Sequence, residues 1–256
     1  MSNRPSRLWR LSAKLFAFLR WTWHGDGGRT PWLRRLLAVV IFLFGPAPVL
    51  YLLIFRFVPV PGTPQMALRL ATLEPVHYSW RSFDDISPNL ARAVIGSEDQ
   101  NFCNHHGFDW DDIQQAIKQH ERHPYRRIRG ASTISQQVAR TLFLLPVRSW
   151  VRKGAEAYLT VLVEAFWPKK RILTAYLNLV DWGNGNFGAA AASEAYFHIR
   201  PSMLSKAQAA RLATVLPNPD KWHAVRPGPY VSSRTETVMV RSWEVTRDEL
   251  DWCIKD

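Results

Sequence analysis

Apolar residues recur at helical spacing along most of the chain after residue 89. Leu90, Val94 and Ile95 are spaced so that they share one face of a helix. Similar spacing predicts further helices at about 150–167, 170–179, 189–196 and 205–216, the last of which ends at Pro217-Asn218-Pro219. Asp109 is a suitable N-cap for another helix, because acidic residues follow it in the first turn. We therefore expect a mainly α-helical fold, in one domain with an open cleft.

A different pattern precedes these helices, since residues 36–55 carry no charge at all. As a helix they would extend for about 30 Å, the thickness of a bilayer core. Residues 1–35 carry eight Lys and Arg side chains against one Asp, which predicts a cytoplasmic N-terminus and an exported remainder. The alternatives are a buried core helix and a cleaved signal peptide, but the run is too long for the latter and no small-x-small cleavage site follows. We expect a transmembrane helix kinked at Gly45-Pro46-Ala47-Pro48.

The formal net charge of +12 indicates an anionic partner. Much of the excess lies directly before the apolar run, which favours a membrane surface or a phosphorylated substrate over nucleic acid. Closely spaced prolines predict an extended linker after the run, followed by a possible strand at 78–81. The predicted divisions are a basic cytoplasmic segment (1–35), a transmembrane helix (36–57), a linker and membrane-proximal region (58–88) and a helical domain (89–256). Cys103 and Cys253 could pair in an exported domain, but two unpaired thiols are the simpler interpretation.

Three polar segments in the helical region carry candidate chemistry: Glu98-Asp99-Gln100-Asn101-Phe102-Cys103-Asn104-His105-His106-Gly107, Gly130-Ala131-Ser132-Thr133-Ile134-Ser135-Gln136-Gln137 and Arg152-Lys153-Gly154-Ala155-Glu156. Glu98 follows an apolar run and is placed to be a partly desolvated general base, although a Glu-Asp pair alone is more often a helix cap. The small residues of the second segment would allow it to bind an anion at a helix N-terminus, whereas by itself the segment could also be an ordinary Ser/Thr cap. Lys153 and Glu156 by themselves indicate a surface ion pair.

In this order and at these separations, the three segments resemble the glycosyltransferase domain that polymerises bacterial peptidoglycan from lipid II, as in the monofunctional biosynthetic transglycosylases. The resemblance spans about residues 58–230. It implies a lysozyme-like helical catalytic domain on the outer face of the bacterial inner membrane. It also implies inversion at the anomeric carbon and release of undecaprenyl diphosphate. The sequence contains no Ser-x-x-Lys motif of the penicillin-binding transpeptidases, so we expect no crosslinking activity.

The resemblance implies roles for individual residues. Glu98 would be the catalytic base and Glu156 a second catalytic carboxylate, which could hold a divalent cation, magnesium or manganese, beside the diphosphate; no nucleotide cofactor is implied. The residues expected to bind substrate or its diphosphate are Asp99, His105, Arg129, Ser132, Thr133, Gln136, Gln137, Arg140, Arg148, Arg152, Lys153 and Asn178. The implied partners are lipid II, the growing lipid-linked glycan and the membrane, with penicillin-binding transpeptidases and division proteins as candidate protein partners.

Two other functions are compatible with these residues. A lytic enzyme must protonate the leaving sugar oxygen and needs a carboxylic acid of raised pKa, whereas a diphosphate leaves without a proton and needs cations. Basic residues beside the later segments and the predicted anchor favour the transferase. A non-catalytic membrane scaffold that binds lipid II or cell-wall and division proteins is the second alternative, since Ala131, Arg140 and Gln208 depart from the family pattern.

Overall fold

The computed structural model describes residues 31–123, 125, 132–147 and 149–255, and the chain divides into two compact units, Met1–Tyr51 and Leu52–Asp256. Helix α1 (Pro31–Phe44) is followed by a single turn residue, Gly45, and then by α2 (Pro46–Ile54). The interruption falls at the expected kink, because Pro46 has no N–H to donate to the preceding turn. Residues Trp32–Ile54 are long and apolar enough to cross a membrane, by length and composition.

The unit that begins at Leu52 is mainly helical, as expected from the sequence. Its helices are α3 (Pro64–Ala71), α4 (Pro88–Glu98), α5 (Trp110–Arg122), α6 (Ile134–Phe143), α7 (Trp150–Phe166), α8 (Lys169–Leu179), α9 (Gly188–Phe197), α10 (Lys206–Val215) and α11 (Pro229–Arg247). Strands β1 (His77–Tyr78) and β2 (Asn186–Phe187) pair in parallel. A short 3-10 turn, Trp252–Ile254, follows α11.

Helix α4 packs against both α10 and α11, and α6 packs against α7 and α8. The predicted apolar face of α4 is the packed one, since Leu90, Val94 and Ile95 are completely buried. A hydrogen bond joins the two groups of helices, because the backbone amide of Ile134 at the start of α6 donates to the side-chain carboxylate of Asp99, directly after α4. The candidate residues of two distant segments therefore meet.

The structure differs from the sequence-based expectations in three places. The helix expected at 205–216 is not the last, since α11 follows it with 19 residues. Residues 58–88, predicted as a linker and membrane-proximal region, also contain helix α3: Thr63 caps it, and Pro64 occupies its first position, where a missing N–H is tolerated. The strand predicted at 78–81 lies at His77–Tyr78. Finally, Cys103 and Cys253 are joined by a disulfide, so the prediction of unpaired thiols was wrong.

Candidate active site

Glu98 is the last residue of α4 and lies in the wall of a cavity of about 840 Å³. Its Oε2 accepts a hydrogen bond of 3.0 Å from Nε2 of Gln137. Burial raises the pKa of Glu98, and this effect exceeds the opposing effects of the Gln137 hydrogen bond and the charges of Arg234 and Arg140. A carboxyl group whose pKa is moved toward neutrality, at the surface of a cavity, is suited to general-base chemistry.

The neighbouring carboxylate, Asp99, also lies in the cavity wall, and its oxygens take part in a buried hydrogen-bond network. Its oxygens lie 3.0 and 3.1 Å from Nε2 of His105, and Oδ2 also accepts from the amide of Ile134 at 2.8 Å. Nδ1 of His105 accepts from the amide of Gly107 at 3.1 Å, so the ring carries its proton on Nε2 and donates it to Asp99. Asp99 and His105 therefore fix the backbone around Glu98.

Thr133 and Gln136 complete the same framework through a capping box at the start of α6. The hydroxyl of Thr133 also donates to the carbonyl of Gly107 at 2.7 Å. Gly107 has a φ of +92°, and a Cβ atom there would lie 2.9 Å from Cγ2 of Thr160 on α7. The loop after Glu98, the start of α6 and the middle of α7 thus meet at a position that only glycine fills without strain.

Glu156 is only 1% exposed and forms the centre of a basic cluster on α7. Its Oε2 accepts from Nη1 of Arg152 at 2.9 Å, and its Oε1 pairs with the ammonium of Lys153. The same ammonium lies 3.4 Å from the hydroxyl of Ser132, ahead of α6. The buried carboxylate therefore holds two cations in place, one of them beside the second polar segment.

The geometry around Glu156 also bears on the predicted divalent cation. Both carboxylate oxygens are engaged by cationic side chains. Among the residues that the structure describes, no cluster of three His, Cys, Asp or Glu side chains could hold a metal. These residues do not fit a metal ion held by the protein through Glu156, and the requirement for a cation stays a prediction.

The residues that line the cavity beside Glu98 are of two chemical kinds. Helix α5 supplies polar groups, including Asp112, Gln115 and Gln119. Other lining residues are aromatic or cationic, and among them the rings of Trp222 and Tyr230 lie 5.1 Å apart. A volume of about 840 Å³ is within the range of sites that enclose a ligand of several rings. This cavity corresponds to the cleft expected from the sequence.

The structure brings several predicted site residues together and separates others. Glu98, Asp99 and Ser132 line the cavity, although Asp99 is largely buried, whereas His105, Thr133 and Gln136 are buried and do not belong to its lining. Arg140 lies one helical turn beyond Gln137 on α6. Two predicted diphosphate ligands, Arg129 and Arg148, lie outside the described residues.

Asn178 lies in the interior of the domain, away from the residues that line the cavity, and its role in substrate binding stays a prediction. Its side chain is completely buried in α8. Its Oδ1 accepts from the amide of Arg81 at 2.7 Å, and its Nδ2 donates to the carbonyls of Arg81 and Thr174 at 2.9 and 2.8 Å. These bonds use its donors and acceptor on backbone groups, so Asn178 ties α8 to the chain after β1.

Two residues that sequence reasoning did not assign to the site affect Glu98. Arg234 on α11 lines the cavity and lowers the pKa of Glu98 by its charge. The buried Tyr176 has a hydroxyl that donates to Oε1 of Gln137 at 3.3 Å, and burial raises the pKa of this tyrosine well above its usual value. The helix that carries Arg234, α11, could have been predicted from the seven-residue spacing of Val231, Val238 and Val245.

Comparisons with known proteins agree with this arrangement. The family model described as Transglycosylase matches residues 67–242. A biosynthetic peptidoglycan transglycosylase from Caulobacter vibrioides is 45% identical over 222 residues, covering 87% of this chain and 96% of the relative. Proteins of the same name from Rhodospirillum centenum and Pseudomonas aeruginosa are 48% and 45% identical, covering 88% and 84% of this chain and 96% and 94% of the relatives. The expected lysozyme-like helical fold is confirmed, and the chain belongs to the transglycosylase family.

Proposed function

We propose that this protein is a peptidoglycan glycosyltransferase that polymerises lipid II into linear glycan strands, with Glu98 as its general base. Family membership supports the activity, since the similar proteins are named as biosynthetic peptidoglycan transglycosylases. The observation that carries the assignment of the base is the Glu98 carboxylate, which lies in the cavity wall with a raised pKa and an orienting hydrogen bond from Gln137.

In the proposed step, Glu98 takes the proton of the 4-hydroxyl on the N-acetylglucosamine of the acceptor. The oxygen then forms a bond to the anomeric carbon of the donor's N-acetylmuramic acid, opposite the leaving group, so that this carbon is inverted. The bond from that carbon to the diphosphate oxygen breaks, and its electron pair leaves with undecaprenyl diphosphate. The proton stays on Glu98 until it passes to water.

The basic cluster on α7 suits the leaving diphosphate, which needs positive charge rather than a proton donor. Lys153 reaches toward Ser132, and the buried Glu156 holds both Lys153 and Arg152 in position before substrate arrives. Cations whose orientation is fixed in advance stabilise developing charge with little reorganisation. Arg140 on α6 is proposed to add to this charge.

We also propose that residues 32–54 anchor the domain in the bacterial inner membrane, with the catalytic unit on the outer face. The apolar helix meets the length requirement for a span. The disulfide between Cys103 and Cys253 supports export, because such bonds persist in oxidising compartments and are rare in the cytosol. Penicillin-binding transpeptidases and division proteins stay predicted partners.

The test is glycan synthesis from purified lipid II by detergent-solubilised full-length protein. We expect polymer and undecaprenyl diphosphate from the wild type, and a rate lower by about 10²–10⁴ in Glu98→Gln, the usual contribution of a general base. Glu121→Gln, at an exposed position near the end of α5, is the matched control and should retain the wild-type rate. Binding of lipid II without turnover by the wild type would favour the scaffold, and breakdown of finished glycan would favour a lytic enzyme.

A further inference from the structure

The C-terminal segment returns to the loop that follows Glu98. Cys253 forms the disulfide with Cys103, with 5.4 Å between their Cα atoms and 150 positions between them in sequence. The indole Nε1 of Trp252 donates to Oδ1 of Asn104 at 3.2 Å. We call the three residues 251–253 the C-terminal clasp.

Asp251, the first residue of the clasp, contacts α4 at a position that precedes Glu98 in sequence. Oδ2 of Asp251 accepts from Nε of Arg92 on α4 at 2.9 Å, and Oδ1 lies 2.9 Å from the ammonium of Lys255. Asp251 is only 2% exposed, and its burial opposes ionisation, but the hydrogen bonds from Lys255 and Arg92 prevail and lower its pKa. The carboxylate is therefore held in its charged form by partners on α4 and on its own segment.

These contacts lie on both sides of the proposed base in sequence. Arg92 precedes Glu98 by six residues on the same helix, and Cys103 follows it by five. The clasp thus connects the body of α4 to the loop beyond its end, which also carries His105. The matched family model ends at residue 242, so the clasp lies outside the part of the chain that the model covers.

We propose that the C-terminal clasp is a positioning element for the catalytic carboxylate, and that it keeps Glu98 aligned with Gln137 and the cavity. This inference rests on the proposed function. A covalent bond and two polar contacts restrict both flanks of Glu98, and small displacements of a catalytic group can reduce turnover by about 10²-fold. Loss of the clasp should therefore reduce kcat and leave KM largely unchanged, because the clasp residues do not line the cavity.

The experiment compares Cys253→Ala and Asp251→Asn with the wild type in the lipid II assay. The first removes the covalent bond, and the second leaves the disulfide while it weakens the contact with Arg92. Asp248→Asn is the matched control, because it removes only the exposed ion pair with Arg247 from the same region. We expect kcat to fall about tenfold or more in Cys253→Ala and by less in Asp251→Asn, with the acidic limb of the pH–rate profile displaced.

A second readout does not depend on turnover. Amide hydrogen exchange should become faster at Phe102, Asn104 and Gly107 in both clasp variants, because these amides donate within the loop that the clasp holds. If the wild type does not polymerise lipid II, the proposed function fails, while exchange still decides whether the clasp holds the loop. Lower thermal stability with unchanged kcat, pH profile and local exchange would overturn the inference and leave the clasp a purely stabilising feature.

Discussion

Glu98 and Gln137 are joined by a hydrogen bond of 3.0 Å, in which the amide nitrogen of Gln137 donates to the carboxylate. The other end of the same amide accepts from the hydroxyl of Tyr176 at 3.3 Å. Tyr176 therefore fixes which way the amide points, and Gln137 must present a donor to Glu98. These two hydrogen bonds orient the carboxylate of Glu98, and the one from Gln137 favours its charged form against the effect of burial.

Replacement of Gln137 by alanine should move the acidic limb of kcat/KM to higher pH. A general base is active only when deprotonated, so activity falls as the pH drops through the pKa of Glu98. Burial already raises this pKa above its ordinary value, and loss of the Gln137 hydrogen bond raises it further. The measurement is a pH–rate profile beside that of Gln114→Ala, an exposed glutamine on α5. An acidic limb at the wild-type pH would contradict the assigned contact.

Arg234 should act on the same pKa through its charge. Arg234→Ala removes a cation that lowers the pKa of Glu98, so the acidic limb should again move to higher pH. Arg234→Lys keeps the charge and should restore most of the wild-type profile, although not the guanidinium geometry. Equal displacement in the two variants would show that Arg234 acts by packing or hydrogen bonding rather than by charge.

Gly107→Ala should destabilise the protein, because φ at this position is +92° and the new Cβ would lie 2.9 Å from Cγ2 of Thr160. The backbone conformation alone costs about 1–2 kcal/mol in the free energy of unfolding, and the contact adds to this. The matched control is Gly154→Ala, where a Cβ has open space within α7 and should stabilise the helix by about 0.5–1 kcal/mol. Thermal unfolding of both variants provides the comparison, and equal effects would refute the argument.

Because Glu156 is paired with Arg152 and Lys153, its replacement should not change how activity depends on magnesium concentration. Arg152 and Lys153 occupy both carboxylate oxygens, so the magnesium concentration for half-maximal activity should be the same in wild type and Glu156→Gln. The maximal rate should fall, because the two cations lose the charge that positions them. A titration with magnesium in each protein tests this. A clear increase in the required concentration in Glu156→Gln would restore Glu156 as a metal ligand.

Local sequence patterns were sufficient for most helices. The helix expected at 150–167 is observed at Trp150–Phe166, and Asp109 caps α5 by accepting from the amide of Asp112 at 3.0 Å. These features depend on residues three or four positions apart, which a sequence displays directly. Helix α11 was missed although its buried positions have helical spacing, because Ser, Thr and Arg residues interrupt the apolar pattern.

By itself, the sequence determined the helical class, the apolar N-terminal run and the three polar segments that carry the candidate chemistry, since each of these is encoded in neighbouring residues. The tertiary structure alone decided that Arg234 affects Glu98, that Asn178 serves backbone groups, and that Cys103 pairs with Cys253. These relationships join residues far apart in the chain. Their partners are selected by how α4, α8 and α11 pack, and that packing depends on burial and shape across the whole domain rather than on any local pattern.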